Sequence, residues 1–402
     1  MKSESGRRMV VAVIPTDTAP GRAELRGVSD VARRLGWTLE IIDTALVDNG
    51  LASFRPLLER ANGIIVRQND PLRDGMLASL GIPLVGIDLK ITGKRWYDPI
   101  DKERVKALWV ATRCDHRKVA EAAADELLAT GRRCFAFVPM LLRHPWTWKR
   151  GDAFMAHIRA AGADARLYRP HTEWGWVEER VLLAKWLAAL PRPFGVFAGN
   201  DMLAKFTLDA CHSAGLVVPG DAAIIGADDD ESLCLTATPS LSSVRIDFEV
   251  AARRAAEALD ALIGKPRPAK TKIIHFGILG VARRGSTRQD IPGEDPRIAA
   301  GLDFIALHYA DPFMGVRDVA MAMGTGRRQA ERLFAALGKS IHTHIEEARI
   351  ACAKKLLRSG ATPVGEVARL SGFTSETYFS RLFHSRTGHA PLAFRRSNYD
   401  LK

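Results

Sequence analysis

The chain has 402 residues, 47% of them hydrophobic and 26% charged, and a formal net charge of +12. That length is long for a single core and the balance is globular, so two to three folded domains are expected and a disordered or fibrous chain is excluded. No apolar run reaches the roughly 18 residues that span a bilayer, the run from Met9 to Pro15 is too short for a signal-peptide core, and five scattered cysteines hold no C-x-x-C pair; a cytoplasmic protein with reduced thiols and no membrane partner is predicted.

From Met9 to about Arg180 short apolar runs alternate with amphipathic stretches, the pattern of a parallel sheet covered by helices. Val10–Ile14 reads as a strand, Arg22–Leu35 as a helix closed by Gly36, and Thr38–Ile42, Gly63–Val66 and Leu84–Ile87 as further strands. A second series opens at Cys134–Val138 and continues through a helix at Phe154–Ala161 and strands at Phe194–Ala198 and Ala223–Gly226. Two α/β halves are therefore expected, together occupying residues 1–284.

Ligands of open α/β sheets bind outside the carboxyl ends of the strands. Asp17, Asp88, Asn200, Asp201 and the run Asp228–Asp229–Asp230 all fall there, and Trp146, Trp148 and Arg150 follow the Cys134 strand within one predicted loop. Carboxylates and amides accept hydrogen bonds from hydroxyls, Arg donates a fork, and an indole face stacks on the apolar side of a sugar ring. Each of these residues alone reads equally well as a turn former, a helix cap or a core aromatic. Their convergence from separate loops points to a polyhydroxylated ligand. Pro266, Pro268, Arg283, Arg284, Gly285, Ser286, Pro292, Gly293 and Pro296 then crowd together, which predicts a linker over 285–296, with Lys272–Val281 a strand returning to the first half.

Beyond Pro296 the apolar spacing turns helical and positive charge concentrates, with 16 Lys and Arg against 10 Asp and Glu from Asp295 to Lys402. The segment contains a near-repeat. Val319-Ala320, Gly324, Arg332-Leu333-Phe334 and Gly338 return as Val367-Ala368, Gly372, Arg381-Leu382-Phe383 and Gly388, at offsets of 48, 49 and 50 residues. Each copy reads as helix, glycine turn and second helix: Val316–Met323 with Arg327–Leu337, then Val364–Leu370 with Ser375–Arg386. A long helix from Ile341 to Leu357, capped by Ser340, separates them. The start of a recognition helix faces base edges, so Arg327, Arg328, Gln329, Glu331 and Arg332 in copy one, and Ser375, Glu376, Thr377, Tyr378 and Arg381 in copy two, are the expected DNA contacts. Arg328, Arg332 and Arg381 suit guanine, Glu331 and Glu376 suit cytosine amines, and Lys339, Arg386, Arg395 and Arg396 suit phosphates. An isolated arginine on a helix is more often a solvated one, but its recurrence in both copies favours contact with DNA. Nucleophile-elbow and P-loop motifs are missing, and His342 and His344 lie two apart on a helix as a poor metal pair, so no enzyme activity, cofactor or metal is expected.

The stretch from Glu366 through Val367, Gly372, Tyr378 and Arg381 to Phe383, followed by Thr387-Gly388-His389-Ala390-Pro391, resembles the AraC/XylS family over about residues 297–397. Gly326 stands where that family usually has Ser and Ala330 where it usually has Leu, which predicts weaker capping and packing in the first copy. Asn200–Ala204, Gly215–Asp221, Gly226–Asp229 and Pro239–Val244 are similar to the sugar-binding core of LacI/GalR regulators and periplasmic binding proteins, without that family's DNA-binding headpiece, since Met9 opens the first strand. The resemblances imply a two-lobed periplasmic-binding-protein-like sensor followed by an all-α double helix-turn-helix domain at 297–402. They also imply a homodimer that activates sugar catabolism genes, with tandem half-sites of double-stranded DNA, RNA polymerase and a small sugar as partners. A pentose, xylose foremost, is the expected effector, with Arg150, Asp201 and Asp228 on its hydroxyls. The alternative is a DNA-binding regulator whose first domain senses a non-sugar ligand or a protein.

Overall fold

The computed structural model describes residues 7–43, 51–67, 76–77, 79–88, 108–140, 145–171, 175–266, 268–288, 295, 297–359 and 362–400. The linker prolines Pro292 and Pro296 and Gly293 lie outside the described residues. The chain divides into two compact units, residues 1–289 and 290–402.

The first unit is built from two sheets. In chain order the first six elements that matter are β1 (Met9–Val13), α1 (Ala19–Leu35), β2 (Thr38–Ile42), a short helix α2 (Arg55–Leu58), β3 (Gly63–Arg67) and β4 (Leu84–Ile87). Gly36 ends α1 in the left-handed conformation, a cap that only a residue without Cβ adopts at no steric penalty. β5 (Val110–Cys114) completes this half, and the chain then crosses to the second, where α3 (His116–Leu128), β6 (Cys134–Val138), α4 (Pro145–Ala160), β7 (Asp164–Leu167), α5 (Trp176–Ala188), β8 (Phe194–Ala198), α6 (Asp201–Ser213), β9 (Ala222–Ala227), α7 (Glu231–Thr236) and β10 (Ser242–Ile246) follow. Helix α8 (Phe248–Leu262) returns to pack on α1, burying Ala252, Ala255, Ala256 and Leu259 with Val10, Val28 and Val31. β11 (Lys272–Phe276) and β12 (Ile278–Ala282) close the unit.

Strand order is β11-β5-β4-β3-β1-β2 in one sheet and β12-β10-β9-β8-β6-β7 in the other. Every pairing is parallel except β10 with β12. Parallel strands covered on both faces must be apolar throughout, and β3, β4, β6, β8 and β9 are buried along their whole length. The returning strand predicted at Lys272–Val281 is in fact two: Gly277 breaks it, β11 joins β5 in the first sheet, and β12 joins β10 in the second. The chain thus passes between the lobes three times, after Cys114, after Ile246 and at Gly277, and the passages are tied by Asp115 N donating to Phe276 O at 2.9 Å and Asp247 N to Gly277 O at 3.1 Å. Three parallel passages make a hinge with no single weak strand. After β12 a turn at Gly285–Thr287 is buried against the second lobe, where Ser286 N donates to Ser240 O at 2.8 Å and Ser286 Oγ to Ile224 O at 2.5 Å.

The second unit is helical: α9 (Arg297–His308), α10 (Val316–Ala322), α11 (Arg327–Ala336), α12 (Ile341–Ser359), α13 (Val364–Leu370), α14 (Glu376–Thr387) and α15 (Pro391–Asp400). The near-repeat becomes two small cores. Val319, Ala320, Ala330 and Phe334 pack with Ile305, Ile341 and Ile345 in the first, and Val367, Ala368, Phe379 and Phe383 with Ile350, Ala353 and Leu357 in the second. Helix α12 therefore feeds both, Ile341 and Ile345 to one from one face and Ile350, Ala353 and Leu357 to the other from a face roughly 130° away, since each residue turns the helix by about 100°.

Candidate functional site

At the carboxyl ends of the strands in the first unit, buried charge is concentrated and mutually paired. Arg150 lies on α4 and is only 3% exposed. Its guanidinium donates to the Gly199 carbonyl at 2.6 Å and to Asp228 Oδ1 at 3.4 Å, and it stands 4.7 Å above the centroid of the Trp146 ring. Trp146, Trp148 and Arg150 are thus on the first turns of a helix, where a loop was expected; Pro145 is accepted at a first helical position, so α4 begins well before Phe154. Trp148 is half-buried on that helix.

Asp228 follows β9 with φ 105°, and Asp229 with φ 56°. Non-glycine residues in this region store backbone strain of about 1–3 kcal/mol each, which the surrounding bonds must hold. Burial pushes the Asp228 carboxyl up to about 6, against the pull of Arg150 and Arg67 and with the help of Asp88. Asp201 holds the loop: its two oxygens accept from Ser243 Oγ at 2.6 Å and from the Asp230 backbone N–H at 2.7 Å. Burial, with Asp228 nearby, also raises the Asp201 carboxyl well above its ordinary value. A Cβ at Gly226 would sit 2.2 Å from Asp201 Oδ1, so only glycine admits this approach. Asn200 caps α6, its Oδ1 accepting from Leu203 N at 3.0 Å. The expected hydroxyl acceptors Asp201 and Asn200 therefore both have oxygens committed to protein N–H or O–H groups. Asp17 is exposed, and its carbonyl accepts from Arg22 Nη1 at 2.9 Å while Arg22 Nη2 reaches Asp230 Oδ2 at 3.5 Å, joining the two lobes.

Three residues of this site went unread in the sequence. Arg67 ends β3 with Nη1 2.9 Å from Glu24 Oε2 and Nη2 3.2 Å from Asp88 Oδ2, and Phe248 lies against its guanidinium with 5.6 Å to the ring centroid. Glu24 is completely buried on α1. Burial opposes the Arg67 charge, but Glu24, Asp88 and Asp228 outweigh it and hold the guanidinium ionised. An arginine directly after the apolar run Gly63–Val66, and a glutamate on the same helical stripe as Val28 and Val31, were the available signals.

In the second unit the expected base-edge residues stand in the open. Arg327, Arg328 and Arg332 on α11 and Arg381 on α14 are exposed. On α11 Arg327 Nε donates to Glu331 Oε1 at 2.9 Å and Arg332 Nη2 to the neutral Gln329 Oε1 at 2.6 Å. On α14 Ser375 caps the helix through Tyr378 N at 3.3 Å, Thr377 is exposed, and Glu376 lies against Gly365 of α13. Tyr378 donates its hydroxyl to Glu346 of α12 at 2.5 Å, and Arg386 joins the same carboxylate at 3.0 Å. Gly326 gives α11 no side-chain cap, in line with its departure from Ser, and Ala330 is fully buried.

Residues 124–287 match the family model described as a periplasmic binding protein-like domain, and residues 319–397 a helix-turn-helix domain. The xylose operon regulatory protein of Haemophilus influenzae is 27% identical over 341 residues, covering 83% of this chain and 84% of the relative. The arabinose operon regulatory protein of Salmonella typhimurium is 34% identical over 105 residues, 26% of this chain and 37% of the relative. A solved structure of a xylose-binding transcription activator superposes with a TM-score of 0.58 at 22% identity, covering 99% of this chain and all of that one.

Proposed function

Starting from a chain that is a transcription regulator of the AraC type with a periplasmic-binding-protein-like sensor, we propose that a small neutral sugar, a pentose and first of all xylose, binds between the two lobes and controls DNA binding. The observation that carries this reading is Arg150, buried between the Gly199 carbonyl, Asp228 and the Trp146 face, with its Nε unpartnered. Such a group offers a sugar a donor, a carboxylate acceptor and an aromatic surface together. Asp228 and Arg150 take the hydroxyls, Trp146 and Trp148 the apolar ring face, Asp17 stands at the rim, and Asp201 and Asn200 fix the loops from behind.

The sugar favours lobe closure only by as much as it binds the closed state more tightly than the open one. Bonds within the sensor lead from beside Asp228 toward its end and support this reading. Asp229, next to Asp228, pairs with Arg284 at 2.7 Å, both mostly shielded, and Arg284 also donates to Leu241 O at 2.8 Å. Arg284 directly precedes the buried turn Gly285–Thr287, after which the chain enters the DNA-binding unit. The two helix-turn-helix units read tandem half-sites of one duplex through Arg328, Arg332 and Arg381, and a homodimer recruits RNA polymerase as an activator. Calorimetry of the full chain against D-xylose, L-arabinose, D-ribose and common hexoses tests the sensor reading. Heat with a pentose, lost in Asp228→Asn, is expected; silence across the panel rejects the sugar and leaves a non-sugar ligand or a protein as the signal.

A further inference from the structure

The two helix-turn-helix units have separate cores, yet polar contacts join them at one level of α12. Arg349 Nε donates to Tyr309 O at 2.9 Å and its Nη2 to Asp311 O at 2.8 Å, both in the segment between α9 and α10 of the first unit. The same guanidinium lies 5.8 Å from the ring centroid of Phe373, in the turn of the second unit. Gly372 of that turn, at φ 81°, presses directly on the first unit: a Cβ there would stand 2.4 Å from Tyr309 O and 3.1 Å from Ala310 Cα. Three residues along α12, Glu346 is 9% exposed and binds Tyr378 Oη and Arg386 Nη2, while His342 Nδ1 sits 3.4 Å away. Its neighbour Ile345 belongs to the first core, whereas Tyr378 and Arg386 belong to the second recognition helix.

We propose that Glu346 and Arg349 form a clamp that fixes the angle between α11 and α14, and so determine which half-site spacing the protein accepts rather than which bases it reads. This rests on the reading that both units engage one duplex. Inserting one base pair between half-sites rotates one against the other by roughly 34° and moves it about 3.4 Å, because a helical turn takes 10–10.5 base pairs over ~34–36 Å. A pair of readers locked at one angle cannot follow without bending the DNA or breaking the lock. The carboxylate keeps the lock charged at neutral pH: burial opposes ionisation, but the Tyr378 and Arg386 hydrogen bonds and the nearby Arg386 charge hold Glu346 below its ordinary value. That contribution is present above the ordinary glutamate range and is lost only as pH falls through the lowered value.

The test uses the full chain and a duplex obtained by selection from random DNA. Affinity is measured on that duplex, on versions with one base pair added to or removed from between the half-sites, and on versions with either half-site scrambled. The wild type is expected to lose about thirtyfold on either spacing change, equivalent to roughly 2 kcal/mol. Glu346→Gln and Arg349→Gln are expected to flatten this penalty to about threefold or less while keeping the base preferences of each half-site. A spacing penalty in both variants equal to that of the wild type overturns the clamp. So does a uniform loss on every duplex, which marks a merely structural role. If scrambling one half-site leaves wild-type binding unchanged, the two-reader premise itself fails, a different outcome from failure of the clamp.

Discussion

The proposed ligand cleft and the proposed DNA-reading face both carry arginine, but they hold it in opposite ways. In the cleft the Arg150 side chain is 4% exposed and already surrounded by Gly199 O, Asp228 and Trp146; on the reading face Arg327 is 59% exposed and pairs, among the described residues, with its helix neighbour Glu331. A buried charge with fixed partners is part of the fold, so its position can be shared with a ligand but not surrendered. An exposed charge contributes almost nothing to the fold and is available for phosphate or base edges. The contrast predicts that substitutions in the cleft act on stability and sensing together, whereas those on the face act on DNA affinity alone.

The largest effect tests the first half of that statement. Arg150→Ala leaves the Gly199 carbonyl and the Asp228 carboxylate without their donor and is expected to lower unfolding free energy by about 3 kcal/mol in urea titrations, with sugar binding abolished. A stable variant would place Arg150 outside the fold's network. On the face, Arg381→Ala is expected to weaken specific DNA binding by about 1–3 kcal/mol, relaxing selectivity at one base position, while stability stays within about 0.5 kcal/mol. Equal weakening on all sequences would make Arg381 a phosphate contact instead.

Smaller effects sharpen the comparison within the reading face itself. Ser375 caps α14 and Gly326 leaves α11 uncapped, so Ser375→Ala should cost about 1 kcal/mol of stability and Gly326→Ser should add a few tenths. Unchanged calorimetric melting in Ser375→Ala would show that the second cap is incidental. The cleft should also respond to pH. The Asp228 carboxyl, pushed up to about 6 by burial, is anionic above that value and neutral below it. If hydroxyl donors and Arg150 require the anion, sugar affinity falls by about fourfold between pH 7.5 and 5.5. An affinity that is flat over this window would remove Asp228 from the hydroxyl contacts.

The double helix-turn-helix unit was legible because its signals are local: Val319-Ala320 and Val367-Ala368 enter two cores as the near-repeat requires, and Phe334 and Phe383 follow. The sensor was legible strand by strand but not in its crossings. A continuous β pattern over Lys272–Val281 carries no mark of which sheet each part joins, since that choice is made by β5 and β10, strands far away in the chain. Local reading likewise left out the tertiary partners of Asp201, whose oxygens accept from Ser243 Oγ and the Asp230 backbone N–H, contacts that only the folded sheet brings together. Tyr378 resembles a base reader in sequence; the glutamate that engages its hydroxyl lies 32 positions earlier.

The most direct measurement is the DNA affinity of the full chain for its selected duplex, by fluorescence anisotropy, with and without saturating pentose at fixed salt. A cleft coupled to the reading face through Asp229 and Arg284 predicts a shift of about 5- to 150-fold, reduced toward unity in Arg284→Gln although that variant still binds both sugar and DNA. Superimposable isotherms for the wild type, under conditions where calorimetry registers the sugar, would contradict it.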